Sequence, residues 1–160
     1  EVARAAEVTA QTVIRRFGGK AGLIEAASRQ LGEEIRLQRA VRPGSVERAV
    51  AVLMGDYERT GDLIIRLLAE EPRHPMLTPL LDGGRAGHRA WVAEVMAPWL
   101  GPLPPEARER RLSALVVATD VYAWKLLRRD MRLDPSATAA ILCDLARGLV
   151  GDSPDPSDAP

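Results

Sequence analysis

Between Thr9 and Lys20 the chain places Arg15, Arg16 and Lys20 with no acidic residue among them, a concentration of positive charge suited to meeting phosphate. The same stretch holds Gln11 and Thr12, whose side chains can hydrogen-bond base edges, and Thr9, whose hydroxyl can cap a helix and reach a phosphate. From charge alone, a solvated basic helix face is the simpler account. The other reactive side chains form no catalytic or metal-binding constellation. His74, among prolines, and His88, in Arg85-Ala86-Gly87-His88-Arg89, have no carboxylate or thiol at ligand spacing and are expected at the surface. Cys143, the single cysteine, reads as a buried small hydrophobe and excludes an intrachain disulfide. Glu33-Glu34 and Glu70-Glu71 are adjacent, so on a helix they point about 100° apart and form no acid/base pair. Gly18-Gly19-Lys20 lacks the preceding strand and the remaining glycines of a phosphate loop. Asp120, polar inside an apolar run, fits a narrow solvent strip shared with Ser113; a ligand anchor or a partner for an Arg across a dimer are the alternatives. These readings predict no enzyme, no metal and no cofactor.

The elements that must position the basic segment are short. Val2-Ala3-Arg4-Ala5-Ala6 reads as a helix, Glu7-Val8 as a turn, and Thr9 as the cap of a second helix over residues 10–17, the pattern of a helix-turn-helix. Small Ala5 and Ala6 allow two helices to cross closely, and Val8 would pin the turn. Breakers at Gly18-Gly19, Pro43-Gly44, Pro72 to Pro75, Gly83-Gly84, Gly101 to Pro105 and Asp134-Pro135 divide the rest of the chain. Between them the spacing predicts helices over residues 21–40, 45–60, 62–71, 78–100 with a possible break at Gly83-Gly84, 105–132 and 136–150, and no strand. The fold class is therefore all-α. Ser45 and Ser136 stand at helix starts, Ser45 with Glu47 in the first turn. The Pro/Asp/Ser-rich residues 151–160 have nothing to pack and are expected to be disordered.

A composition of 46% apolar and 28% charged residues in a chain of 160 is that of a folded protein with one principal core, neither disordered nor membrane-embedded. No apolar run approaches the roughly 20 residues that span a bilayer, and Glu1-Val2-Ala3-Arg4 is no signal peptide, so a cytoplasmic location is expected. The absence of an initial Met and the helical character of residues 1–6 suggest that a segment precedes Glu1. A net charge of zero conceals an asymmetry: residues 1–42 hold eight Arg/Lys against five Asp/Glu, and the remainder fourteen against seventeen.

Val2 through Leu23, and above all Phe17-Gly18-Gly19-Lys20-Ala21-Gly22-Leu23 following the helix-turn-helix, resembles the signature of the TetR family of transcriptional regulators. The resemblance covers about the first 30 residues, and the Phe-x-x-Lys-x-x-Leu continuation is not a general helix-turn-helix feature. It implies phosphate contacts for Thr9 and Lys20, a DNA-facing helix bearing Ala10, Gln11, Thr12, Arg15 and Arg16, and core positions for Phe17 and Leu23. Two positions depart from the family pattern: Glu7 stands where Gly is usual in the turn, and Ile14 where a Tyr is usual, removing a phosphate-bonding hydroxyl. The family's first helix would precede Glu1. The resemblance implies a helix-turn-helix domain and linking helix over residues 1–42 and an effector-binding and dimerisation domain over 43–150. The function expected is that of a repressor released from double-stranded operator DNA by a small molecule. A helical ligand-binding or scaffold module of the same fold without working DNA contacts is the alternative.

The C-terminal part supports two further expectations. Leu112 to Leu127 is apolar on nearly every face, so it would be buried on two sides, one of them against a second subunit. Leu115, Ala118, Tyr122 and Leu126, with Ile141, Leu145 and Leu149 of the last helix, are the predicted homodimer interface, a four-helix bundle matching a palindromic operator. Tyr57, Leu67, Met76, Trp91, Met96, Trp99 and Tyr122 are candidates for lining a largely apolar effector pocket, although each taken singly is more readily explained as core packing.

Overall fold

A computed structural model describes residues 4 and 6–151, the Ser28 side chain apart. The predicted helix over residues 2–6 and the tail over 152–160 thus lie largely or wholly outside the described residues. Among the described residues there is no strand, and the chain runs α1 (Ala10–Phe17), α2 (Lys20–Gln38), α3 (Val46–Glu70), a 3₁₀ turn (Pro75–Leu77), α4 (Thr78–Val95), α5 (Ala97–Leu100), α6 (Pro105–Ala118), α7 (Val121–Lys125), a π turn (Leu126–Asp130) and α8 (Pro135–Val150).

The starts of these helices reflect the local chemistry. Ser45 caps α3 by accepting from the Arg48 amide at 3.3 Å, and Asp134 caps α8 by accepting from the Ser136 and Ala137 amides at 2.8 and 2.9 Å. The capping residue of α8 is thus Asp134 and not Ser136, because a carboxylate one residue before Pro135 reaches two free amides at once. Glu47, in the first turn of α3, also pairs with Arg147 of α8.

α3 is the central element. Val46, Ala49, Val50, Leu53, Met54 and Tyr57 recur at helical spacing and are all buried. They pack against α7 and α8 on one side, while α4 and α6 complete the layer. Where residues 45–60 and 62–71 were expected as two helices, α3 continues unbroken through Gly61. The reason is a close crossing: a Cβ on Gly61 would lie 2.5 Å from the Trp124 ring, so the glycine is the surface against which the tryptophan lies. α4 likewise runs through Gly83-Gly84, and the chain bends instead at Met96.

The helix expected over residues 105–132 is divided. α6 ends at Thr119, whose hydroxyl donates to the Leu115 carbonyl at 2.8 Å, and Asp120 caps α7 by accepting from the Tyr122 amide at 2.9 Å. Asp120 is therefore a capping residue, not part of a solvent strip on a continuous helix. The break changes which faces point outward: Leu115 is fully enclosed in the core, whereas Tyr122 and Leu126 are exposed.

Candidate nucleic-acid interface

α1 opens at Thr9, whose Oγ1 accepts from the Thr12 amide at 3.1 Å, and closes on Gly18 in the left-handed region at φ 71°. At about 100° per residue, Gln11, Thr12, Arg15 and Arg16 share an arc of about 140°. All four are exposed, while Val13 and Phe17 on the opposite side are half-buried. Ala10 and Lys20 are exposed as well, and Ile14 stands in solvent at 59%. Among the described residues Arg15, Arg16 and Lys20 form no ion pair; the Arg16 guanidinium lies 5.8 Å from the Phe17 ring centroid. The turn before α1 places Glu7 at φ 52°, with its amide donating to the Arg4 carbonyl at 3.2 Å. Glu7 thus adopts the left-handed conformation that glycine occupies without cost. The expected core role of Phe17 and Leu23 is met only by half, since neither is fully enclosed.

α1 packs on α2, and α2 lies along α4. The fully buried contact between these two helices and the remainder is polar, beside half-buried Leu23, Ile24 and Ile35 on α2. Among the described residues from 4 to 45, Arg39 is the one fully buried side chain, and no apolar side chain of α2 belongs to the main core or packs on it. Arg39, 5% exposed, donates through Nε to Oδ2 of Asp56, 1% exposed, at 2.8 Å, and through Nη1 to His88 Nδ1 at 3.2 Å. Its guanidinium lies between the Tyr57 and Trp91 rings, 5.1 and 5.5 Å from their centroids. Its own carbonyl accepts from Trp91 Nε1 at 2.9 Å, and the preceding Gln38 accepts from Arg59 Nη2 at 2.7 Å.

Because arginine can only donate, His88 Nδ1 is the acceptor, and Nε2 carries the proton toward Thr119 Oγ1 at 3.1 Å. Burial, with Arg39 beside it, holds the imidazole down to about 4, so it is neutral near pH 7. The Thr119 carbonyl accepts from the Tyr57 hydroxyl at 3.1 Å, and burial pushes that phenol far above its usual range. His88 is thus not a surface histidine, as expected, but the middle of a buried chain from α2 to the α6–α7 break. Sequence reasoning missed this chain. The available signal was Asp56, a carboxylate at the edge of the apolar stripe of α3, which requires a buried partner.

A second feature is an apolar groove between α6 and α8, lined by Ala114, Val117, Ala118, Leu145, Gly148 and Leu149 together with Ala123, Ser113 and Asp144. Val117, Tyr122, Leu126 and Leu145 are exposed at 70, 57, 52 and 47%. Of the seven residues expected at a subunit face, Ala118, Leu145 and Leu149 line this groove, Tyr122 and Leu126 are exposed, Ile141 is half-buried, and Leu115 faces inward. The seven pocket candidates do not converge. Tyr57, Met96 and Trp99 are packed into the core with Trp91 against it, Leu67 is half-buried, and Met76 and Tyr122 are exposed on separate elements. Cys143 is half-buried, and its thiol is raised above the ordinary range by burial, which keeps it protonated. No cluster of His, Cys, Asp or Glu able to hold a metal occurs among the described residues, nor any helix long and apolar enough to cross a membrane.

No family model, curated protein or solved structure matches the chain.

Proposed function

We propose that the chain is a TetR-like transcriptional regulator that binds double-stranded operator DNA through α1 as a homodimer. The observation that carries this reading is the exposed arc of Gln11, Thr12, Arg15 and Arg16 on a helix whose start is capped by Thr9, with Lys20 exposed just beyond its end. A short helix presenting polar and cationic groups along one side, with its apolar side against a second helix, suits insertion into a major groove. The Thr9–Thr12 hydroxyl pair, 2.9 Å apart, stands at the helix end where a phosphate would be received. The α6–α8 groove supports association with a second copy, since small Ala114, Ala118 and Gly148 permit close approach beneath exposed Val117 and Leu145. Two copies of α1 related by a two-fold axis would meet successive turns of a palindromic site. Action as a repressor, and release by a largely apolar small-molecule effector, are carried by the family resemblance.

The test is fluorescence anisotropy of the protein on pooled random duplexes across a salt series, beside the Arg15→Ala/Arg16→Ala/Lys20→Ala variant. Each neutralised phosphate contributes about 0.9 to the slope of log affinity against log salt, so loss of three contacts flattens it by about 2.7. Salt-sensitive binding that the triple variant loses supports the regulator. No binding by the folded protein leaves the helical ligand-binding or scaffold module in its place.

A further inference from the structure

A joint made of charge and hydrogen bonds behaves differently from one made of apolar surface. Apolar contact is non-directional and is lost gradually as two elements slide, whereas a guanidinium gripped at fixed angles is either seated or free. We propose that the end of α2 is a releasable latch: Gln38 and Arg39, gripped by Asp56, Arg59, His88 and Trp91, hold α1 and α2 at one angle, and when the grip opens these two helices leave as a unit while the rest of the molecule stays folded.

Three features of the joint support release without collapse. Arg39 moves from a buried site into water, where a guanidinium is well solvated. Asp56, the partner left behind, keeps the Thr60 hydroxyl at 3.3 Å from Oδ1 and has Arg59 Nη2 at 3.9 Å from the same oxygen. When Gln38 departs, Arg59 loses its other partner and becomes available to that carboxylate. The buried charge is therefore not stranded, which is the usual penalty for breaking such a pair. No described apolar side chain of α2 is part of the main core or packs on it, so what the core loses on release is the Arg39 guanidinium over Tyr57.

The latch also has a second end. His88 joins Arg39 to Thr119, and Thr119 sits between Ala118, which lines the α6–α8 groove, and Asp120, which caps α7. A shift of the α6–α7 break therefore reaches Arg39 through a single imidazole. Arg39 is in this sense a positioning residue, acting on the arc of α1 through the orientation of α2.

Hydrogen exchange of the full chain, followed by mass spectrometry for the wild type, Arg39→Gln and His88→Phe, tests the latch. Exchange uses no DNA, so its outcome is separate from that of the DNA-binding reading. The expected result for Arg39→Gln is exchange about tenfold faster over residues 10–38, with residues 46–70, 105–118 and 135–150 within about twofold of wild type. His88→Phe, which keeps a ring on Trp91 but loses both hydrogen bonds, gives the same pattern to a smaller extent. Unchanged exchange over 10–38 in Arg39→Gln overturns the proposal, as does a uniform rise across all helices. Should Arg39→Gln not fold, the same readout on His88→Phe decides between these outcomes.

Discussion

The two ends of this molecule are built on different principles. From Val46 to Val150, α3 packs its apolar stripe against α4, α6, α7 and α8, enclosing Leu53, Val92, Leu115, Trp124 and Leu142 almost completely. From Arg4 to Ser45, no described apolar side chain is fully buried, and the buried anchor is a guanidinium. Stability of the first region comes from area removed from water, which adds over many side chains. The apolar side chains of the second region are at most half-buried, and its one fully buried side chain among the described residues, Arg39, makes directed contacts. Elements that must move or adapt to a partner are drawn from such weakly buried parts of a protein. A closely packed helical body carrying a pair of helices with no fully buried apolar side chain is compatible with the proposed DNA-binding role.

The contrast is broken most directly by removing one large side chain from each region. Trp124 is fully enclosed and donates to Glu58 at 2.9 Å, so Trp124→Ala is expected to cost about 3–5 kcal/mol in urea denaturation. Phe17, half-buried against α2, is expected to cost about 1 kcal/mol on the same substitution, with little change in the main transition. Equal costs would mean that both ends share one cooperative core.

Acid sharpens the comparison at the joint. Free histidine titrates near 6.5, and His88 is held down to about 4 by burial and by Arg39, with Asp120 and Asp56 opposing from nearby. The unfolded chain therefore binds the extra proton between these values, and stability is full above pH 6.5 and declines as pH falls toward 4. The loss from this one group is about 3 kcal/mol. Carboxylates held low by arginines, such as Glu58 beside Arg128 and Asp62 beside Arg129, lose their stabilisation at still lower pH, as pH falls below their free values of 4.5 and 3.8. Comparison with His88→Gln isolates the histidine: the wild type should show the steeper slope between pH 6.5 and 4.5, and parallel curves would remove His88 from the account.

The groove gives a change that leaves the protomer intact. Val117 is 70% exposed, so Val117→Glu should alter the stability of a single copy by no more than about 0.5 kcal/mol. For the proposed dimer through this groove, light scattering should report dimer mass for the wild type and monomer mass for the variant. An unchanged dimer would place the subunit contact elsewhere.

The features legible in the sequence were those that neighbours in the chain decide. Thr9, Ser45 and Gly18 act on amides and carbonyls within four residues, so their roles are set by type and position. Gly61 falls between two expected helices in the sequence because its reason is Trp124, which is far along the chain. His88 reads as a surface residue because its partners are 49 and 31 residues away. The stripe expected at a subunit face is kept only in part, for a geometric reason. On an unbroken helix Leu115, Ala118, Tyr122 and Leu126 would form one stripe, but the break at Thr119 and Asp120 turns Leu115 inward and leaves Tyr122 and Leu126 outside.

The smallest expected effect lies in the turn before α1. Glu7 holds φ at 52°, a conformation that costs a side-chain-bearing residue about 1 kcal/mol relative to glycine. In the large core such a sum is minor, but α1 has no buried residue to offset it. Glu7→Gly should therefore leave the main urea transition where it is and slow hydrogen exchange over residues 10–17 by about fivefold. The substitution also removes a carboxylate two residues before Thr9, so any affinity for a polyanion should rise with it. Glu7→Gln separates the two contributions, because it removes the charge and keeps the strain. If Gln alone reproduces the slower exchange, the cost in the turn is electrostatic and the left-handed backbone is carried there without penalty.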